Sequence, residues 1–152
     1  MSTPEHRSGF VSFGGRPNAG KSTLTNAIVG TKVAITSSKP QTTRTVVRGI
    51  VHRPDAQLIL VGSPGMHRPR TLLGERLNDQ VRETWSSVDV VGLCIPSNQS
   101  VGPGDRYIAT ELSFLRRKPI VAVVTKTDTV THKVLAERLA EVSELADAVG
   151  IQ

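Results

Sequence analysis

The sequence predicts an α/β fold, a mostly parallel, doubly wound sheet with helices on both faces and one antiparallel strand. Three observations carry that expectation. The run Gly15-Arg16-Pro17-Asn18-Ala19-Gly20-Lys21-Ser22 fits the phosphate-binding P-loop pattern GxxxxGK[ST], and it lies between a short apolar segment and a helical stripe. Val-, Ile- and Leu-rich runs then alternate with amphipathic segments along the chain, the order that a parallel sheet with crossover helices requires. Aliphatic residues dominate and aromatics make up only 3%, which suits strands buried on both faces.

The elements follow in order. Residues 1–8 are polar and read as a flexible tail, with one domain over residues 9–152. Phe10-Val11-Ser12-Phe13 marks a strand over 9–14, in which Gly14 costs some strand stability. The P-loop follows, and Leu24, Ala27 and Ile28 give the stripe of a helix over 21–29. A polar loop covers 30–43. Strands near 45–53 and 57–62 are separated by Pro54-Asp55-Ala56, a hairpin that supplies the antiparallel strand. A Gly/Pro loop over 62–70 leads to a helix at 72–85, a strand at 88–95, a loop at 96–103 and a helix at 104–117. A strand at 119–125 and a helix at 133–148 complete the order. Ile108, Leu112 and Leu115 in one helix, and Leu135, Leu139, Val142 and Leu145 in the other, repeat at helical spacing and read as sheet-packing faces.

The P-loop spacing has a chemical reason. Glycines let backbone N–H groups turn inward around a phosphate without a Cβ in the way. The following helix start adds free donors and a favourable dipole. Gly15, Asn18, Ala19, Gly20, Lys21, Ser22 and Thr23 form the expected cradle. In it Lys21 reaches the β- and γ-phosphates and the Ser22 hydroxyl ligates Mg²⁺. A glycine turn before an N-capped helix is the plainer alternative, and the strand before it and the helix after it favour phosphate. A second signal, Thr125-Lys126-Thr127-Asp128, follows the apolar run Ile120–Val124. An Asp there accepts from guanine N1–H and the 2-amino group, donors that adenine lacks. Lys126 lays its stem along the base, and a helix-capping turn is the alternative.

The net charge of +6 favours an anionic partner. Basic residues gather at Lys39, Arg44, Arg48 and Arg53, at His67, Arg68 and Arg70, and at Arg116-Arg117-Lys118. RNA contact through phosphates and a merely solvated basic surface are both open, and DNA is not an expected partner. No apolar run approaches the roughly 18–20 residues of a membrane span, and the polar N-terminus does not read as a signal peptide. The lone Cys94, inside Val90–Ile95, reads as a buried packing residue and not a nucleophile. A reducing, cytoplasmic setting is expected.

Gly15 through Asn26, Ser37-Ser38-Lys39-Pro40-Gln41-Thr42-Thr43-Arg44, Ser63-Pro64-Gly65-Met66-His67 and Thr125–Asp128 together resemble the GTPase domain of the Era family of P-loop NTPases. Thr71–Asn78 and Gly92–Pro96 resemble its actinobacterial members in particular. The likeness spans about residues 8–149. It implies GTP and GDP as ligands with Mg²⁺, slow hydrolysis, and a switch role in small ribosomal subunit assembly with 16S rRNA and the 30S subunit as partners. Peripheral membrane association is also known in the family. By resemblance the catalytic set is Lys21, Asn18, Thr43 and Gly65. Thr43 joins Ser22 at Mg²⁺ and senses the γ-phosphate, and Gly65 meets that phosphate through its backbone N–H. Asn18 matches the asparagine that helps hold K⁺ in potassium-dependent relatives.

The sequence also departs from the family. Gly62-Ser63-Pro64-Gly65 stands where members read Asp-Thr-Pro-Gly, so the carboxylate that normally holds Mg²⁺ is missing. Thr125 replaces the commoner Asn, which ties the base loop to the P-loop. Met66 occupies the place of a water-orienting Gln in Ras-type proteins. The last βα unit and the RNA-binding KH domain are read as absent, with the GTPase domain incomplete at its C-terminus. A nucleotide-binding but hydrolysis-defective module or truncated remnant is therefore the alternative function, and an ATP-dependent P-loop kinase a third. His67 reads as an exposed loop residue in preference to a general base.

Overall fold

The computed structural model describes residues 5–30, 46–63, 65–115 and 117–151. Within them lie β1 (Arg7–Gly15), α1 (Lys21–Val29), β2 (Val46–Arg53), β3 (Ala56–Gly62), α2 (Leu72–Ser87), β4 (Val90–Pro96), α3 (Pro103–Ser113), β5 (Ile120–Thr125), a 3-10 turn at Thr127–Thr129, and α4 (His132–Val149). The strands form one sheet in the order β2-β3-β1-β4-β5. β1 pairs parallel with β3 and β4, and β4 with β5, while β2 and β3 form the antiparallel hairpin around Pro54-Asp55. From β1 the chain goes first to one side of the sheet and later to the other. That reversal places the end of β1 at the topological switch point, where open α/β sheets bind ligands.

Helices cover both faces of the sheet. At the centre, Val91 through Pro96 of β4 are all buried, although consecutive side chains point to opposite faces. Val81 and Trp85 of α2, Ile108 and Leu112 of α3, and Val142 and Leu145 of α4 join Val91, Leu93 and Ile95 in one core cluster. α1 is covered less. It has no fully buried residue, Ile28 of its expected stripe is exposed, and Val29 packs onto the bare backbone of Gly49.

Several boundaries differ from the sequence expectation for local reasons. β1 starts at Arg7, because Arg7 and Ser8 pair with Ala56 and Gln57 and the Arg7 N–H donates to the Asp55 carbonyl at 3.0 Å. α3 ends at Ser113, not 117. Its last turns tighten through Leu115 N–H to Leu112 O at 3.0 Å, and the chain then reverses at Arg117, whose φ is +67°. Leu139 in the α4 stripe is exposed, while Arg138 takes the inward position and donates to the Ser97 carbonyl at 3.1 Å.

Gly14 has a different role from the one its sequence context suggests. A Cβ there would stand 2.7 Å from Cζ2 of the buried Trp85 ring, so the missing side chain makes room for the largest core residue. Lys118 is likewise not part of a free basic cluster. Its ammonium donates to the carbonyls of Trp85 and Ser86, each at 2.8 Å, and of Val88, closing the C-terminal end of α2 where a cation is favoured. Cys94 is fully buried, and burial pushes its thiol up to about 11.

Two outcomes follow from this packing. Gly14→Val overpacks against an indole that cannot move aside and lowers stability by about 2–3 kcal/mol in denaturant unfolding. The Cys94 thiol stays unreactive toward a water-soluble disulfide reagent at pH 8 until the chain is unfolded, because it is both covered and protonated.

Candidate functional site

β1 delivers the chain to residues 15–22, where the backbone is shaped for an anion. Gly15 has φ +153°, and a Cβ on it would lie 2.8 Å from the Cys94 carbonyl oxygen. Asn18 is left-handed at φ +64°, a conformation that asparagine tolerates better than most residues. Gly20, at φ +92°, caps α1 without any side-chain acceptor, so the first N–H groups of α1 remain open to a ligand. Lys21 folds back on the loop, donating to the carbonyls of Arg16 at 2.7 Å and Gly15 at 3.3 Å. Burial pushes its ammonium pKa down. An arriving anion offers that ammonium a stronger partner than two carbonyls.

The loop is held from three directions. The Thr125 hydroxyl, buried at the end of β5, donates to the Ala19 carbonyl at 2.6 Å. Thr125 thus makes the tie from base loop to P-loop that the resemblance assigns to asparagine. The Met66 N–H donates to the Gly15 carbonyl at 3.0 Å, and a Cβ on Gly65 would lie 2.7 Å from the Pro17 nitrogen, so residues 65–66 run directly against the loop. Arg16 reaches away from it to Asp105, with Nε 2.9 Å from Oδ1, and to Gln99 Oε1 at 3.1 Å. Asp105 is fully buried, and its other oxygen accepts from the Gly102 N–H at 3.0 Å at the start of α3. Gly104 leaves the passage for the Arg16 stem, since a Cβ there would lie 2.8 Å from Arg16 Cδ.

Two cavities open on either side of Lys21 and Ser22. One is lined by Asn18, Gly20, Lys21, Ser22, Thr23 and Lys126. It joins the P-loop to the Thr125–Asp128 segment, which the sequence placed in one site. Lys126 is held left-handed at φ +59°, its carbonyl accepting from the hydroxyls of Ser97 at 2.9 Å and Thr129 at 2.6 Å. The Ser97 N–H returns to the Thr125 carbonyl at 2.9 Å. Asp128 lies exposed in the 3-10 turn and is not among the lining residues. The other cavity is lined by Lys21, Ser22, Thr25 and Asn26 of α1, Phe13 of β1, Arg48 of β2, and Val61, Gly62 and Ser63.

The remaining expected residues divide. Thr43, with Lys39 and Arg44, lies outside the described residues. Gly65 is in place beside Pro17. Met66 is fully buried in the core, so its thioether packs and faces no solvent. His67 is exposed, with Nδ1 3.1 Å from the Arg68 carbonyl, and its own carbonyl accepts from the buried Asn78 amide at 2.7 Å. The Arg16–Asp105 pair, Ser97 and Arg138 were not anticipated. A signal for Asp105 existed in Gly102-Pro103-Gly104-Asp105, where proline at the first helical position is followed two residues later by an acid able to cap the helix. Ser97 and Arg138 carry no comparable local signal.

Comparison with known proteins bears on this arrangement. The model of a family described as 50S ribosome-binding GTPase matches residues 10–126. The chain is 66% identical to the GTPase Era of Streptomyces coelicolor over 146 residues, which is 96% of this chain and 46% of that protein. It is 64% identical to the GTPase Era of a Nocardioides species over 149 residues, 98% of this chain and 48% of that protein. The chain therefore spans about half the length of the curated relatives it matches. A crystal structure of Era in complex with MgGDPNP and part of 16S ribosomal RNA is similar at 31% identity with a TM-score of 0.74, over 95% of this chain and 48% of that one. An Aquifex aeolicus Era variant bound to GDP and AlF4⁻ is similar at 31% identity and a TM-score of 0.72, over 90% of this chain and 47% of that one.

The ties around the loop have measurable weight. Asp105→Ala leaves Arg16 its bond to Gln99 but removes its ion-pair partner and the acceptor for the Gly102 N–H. With Arg16 partly exposed, the loss is about 2–3 kcal/mol in thermal or denaturant unfolding. Thr125→Val leaves the Ala19 carbonyl without its buried donor and costs about 1–3 kcal/mol in the same measurement.

Proposed function

We propose a role for this chain from the premise that it belongs to the 50S ribosome-binding GTPase family. It is a guanine-nucleotide switch of the Era type that binds GTP and GDP, hydrolyses GTP slowly, and serves small ribosomal subunit assembly. The observation that carries this reading is the Thr125–Ala19 hydrogen bond, because it joins the phosphate cradle and the base-reading turn around one cavity. Lys21 and the open N–H groups of α1 bind the phosphates, and Asp128 reads the guanine edge while Lys126 covers the base. Thr43 and the Gly65 N–H report the terminal phosphate, and Asn18 supports a potassium ion.

The protein ligands of this site suit a magnesium ion that arrives with the nucleotide. Among the described residues no group of three His, Cys, Asp or Glu could hold a metal, and the cavity beside Ser22 offers hydroxyls without a carboxylate. Mg²⁺ keeps waters and phosphate oxygens and needs few protein ligands. Ser22 and Thr43 would hold it, and when bound it neutralises phosphate charge. The chain's own residues position the triphosphate and stabilise its charge, with no covalent intermediate. Met66, being apolar and buried, orients no water, which supports the expectation of slow turnover. The relative crystallised with 16S rRNA supports rRNA as the family's partner. A cytoplasmic location, and peripheral contact with the membrane, belong to the same reading.

Gly62 favours a second reading, a module that binds nucleotide without hydrolysing it. The parent chain's own GTP turnover with Mg²⁺ decides between the two, since measurable release of GDP supports the switch and none assigns the chain to the binding-only reading. Gly62→Asp raises turnover by about tenfold or more if metal positioning is the shortfall. Fluorescent GDP titrated in Mg²⁺ and potassium buffer tests the site itself. GDP binds and ATP does not compete, and Asp128→Ala weakens GDP binding by about 10- to 100-fold through loss of two charge-assisted hydrogen bonds. Equal competition by ATP overturns the guanine assignment.

A further inference from the structure

Arg48 is the residue that the β2–β3 ladder leaves out. Val47 pairs with Val61 and Gly49 with Leu60, so the register shifts across Arg48. A bulge of this kind re-aims the side chain of the extra residue. Here that side chain runs over the end of β3. A Cβ placed on Gly62 would lie 2.5 Å from Arg48 Nε, 3.0 Å from its Cγ and 3.2 Å from its Cδ. The bare backbone at Gly62 is the space that the arginine stem occupies. Both residues line the cavity that Lys21, Ser22 and Ser63 also line.

The substitution of glycine for the expected acid is therefore more than a lost charge. Around this cavity the described lining contains two cations and no carboxylate. A guanidinium presents a planar fork of donors that matches phosphate oxygens, is always charged, and is less strongly hydrated than an ammonium. An acid at position 62 would neutralise that guanidinium and hold a dication. Glycine leaves it free to meet an anion.

We propose that Arg48 is a built-in cation of this site, binding the terminal phosphate of a guanosine triphosphate alongside Lys21, so that nucleotide binding by this chain tolerates the removal of Mg²⁺. The proposal rests on the reading of the site as a guanine-nucleotide pocket. It concerns which groups neutralise the phosphates, not whether hydrolysis occurs.

The test is titration of the whole chain with a fluorescent, non-hydrolysable GTP analogue and with fluorescent GDP, in Mg²⁺ and in EDTA. Parent, Arg48→Ala and Arg48→Lys chains are compared, with thermal unfolding confirming that each is folded. The parent loses less than about threefold in affinity for the analogue when Mg²⁺ is withdrawn. Arg48→Ala weakens the analogue in both buffers, by at least about tenfold in EDTA and by less in Mg²⁺. GDP, without the terminal phosphate, is affected less than the analogue, and Arg48→Lys recovers part of the loss. Should Arg48→Ala fail to fold, Arg48→Gln is read by the same criteria. A parent that loses more than about tenfold in EDTA overturns the proposal, as does an Arg48 variant that binds the analogue in EDTA as well as the parent does. A parent that binds neither nucleotide even with Mg²⁺ fails the underlying reading, and the proposal falls with it.

Discussion

The hydrogen bond from the Thr125 hydroxyl to the Ala19 carbonyl is the contact on which the site depends. β1 and β5 are not neighbours, since β4 lies between them. In the proposed reading their C-terminal ends nevertheless act on one ligand, the first through a loop of free amides and the second through a turn that reads a base. A 2.6 Å bond between buried groups fixes the spacing of those two loops. Around it, Ser97 holds both Thr125 and Lys126, and Arg138 holds Ser97 from α4. On the far side Arg16 moors the P-loop to the start of α3 through Asp105. Helices that look like packing elements in the sequence thus also set the position of loops.

Much of the architecture was legible because it follows from local rules. α1 begins and ends where its glycine cap and apolar residues place it, and the hairpin turns at Pro54-Asp55 as its flanking strands require. What was not legible is tertiary. Periodicity alone assigned Leu139 to the buried face of α4, yet Arg138 takes that side because Ser97 offers it a carbonyl there. Gly14 reads as a weakness in a strand until the Trp85 ring is seen lying over it. Lys118 reads as part of a basic patch until the carbonyls at the end of α2 are found around it.

The site shows the same division. GxxxxGK[ST] and TKxD are contiguous and could be read directly, and the structure brings Lys21 and Lys126 to one cavity. The consequence of Gly62 could not be read, because Arg48 lies fourteen positions earlier on another strand and reaches it only through a bulge in the ladder. The resemblance to the Era family registers a missing acid there. The geometry shows a cation in the space the acid's side chain would have entered, and on the reading proposed above the lost acid is replaced by a different electrostatic design.

The central claim, that the P-loop and the turn after β5 form a single guanine-nucleotide site, is tested most directly by amide hydrogen exchange on the whole chain with and without saturating GDP. If the two loops are one site, amides of residues 16–23 and of 126–129 slow together on addition of GDP. Protection confined to 16–23, with 126–129 exchanging as in the free chain, would contradict it: the phosphate cradle would then be acting alone, and the bond from Thr125 to Ala19 would have no part in recognition.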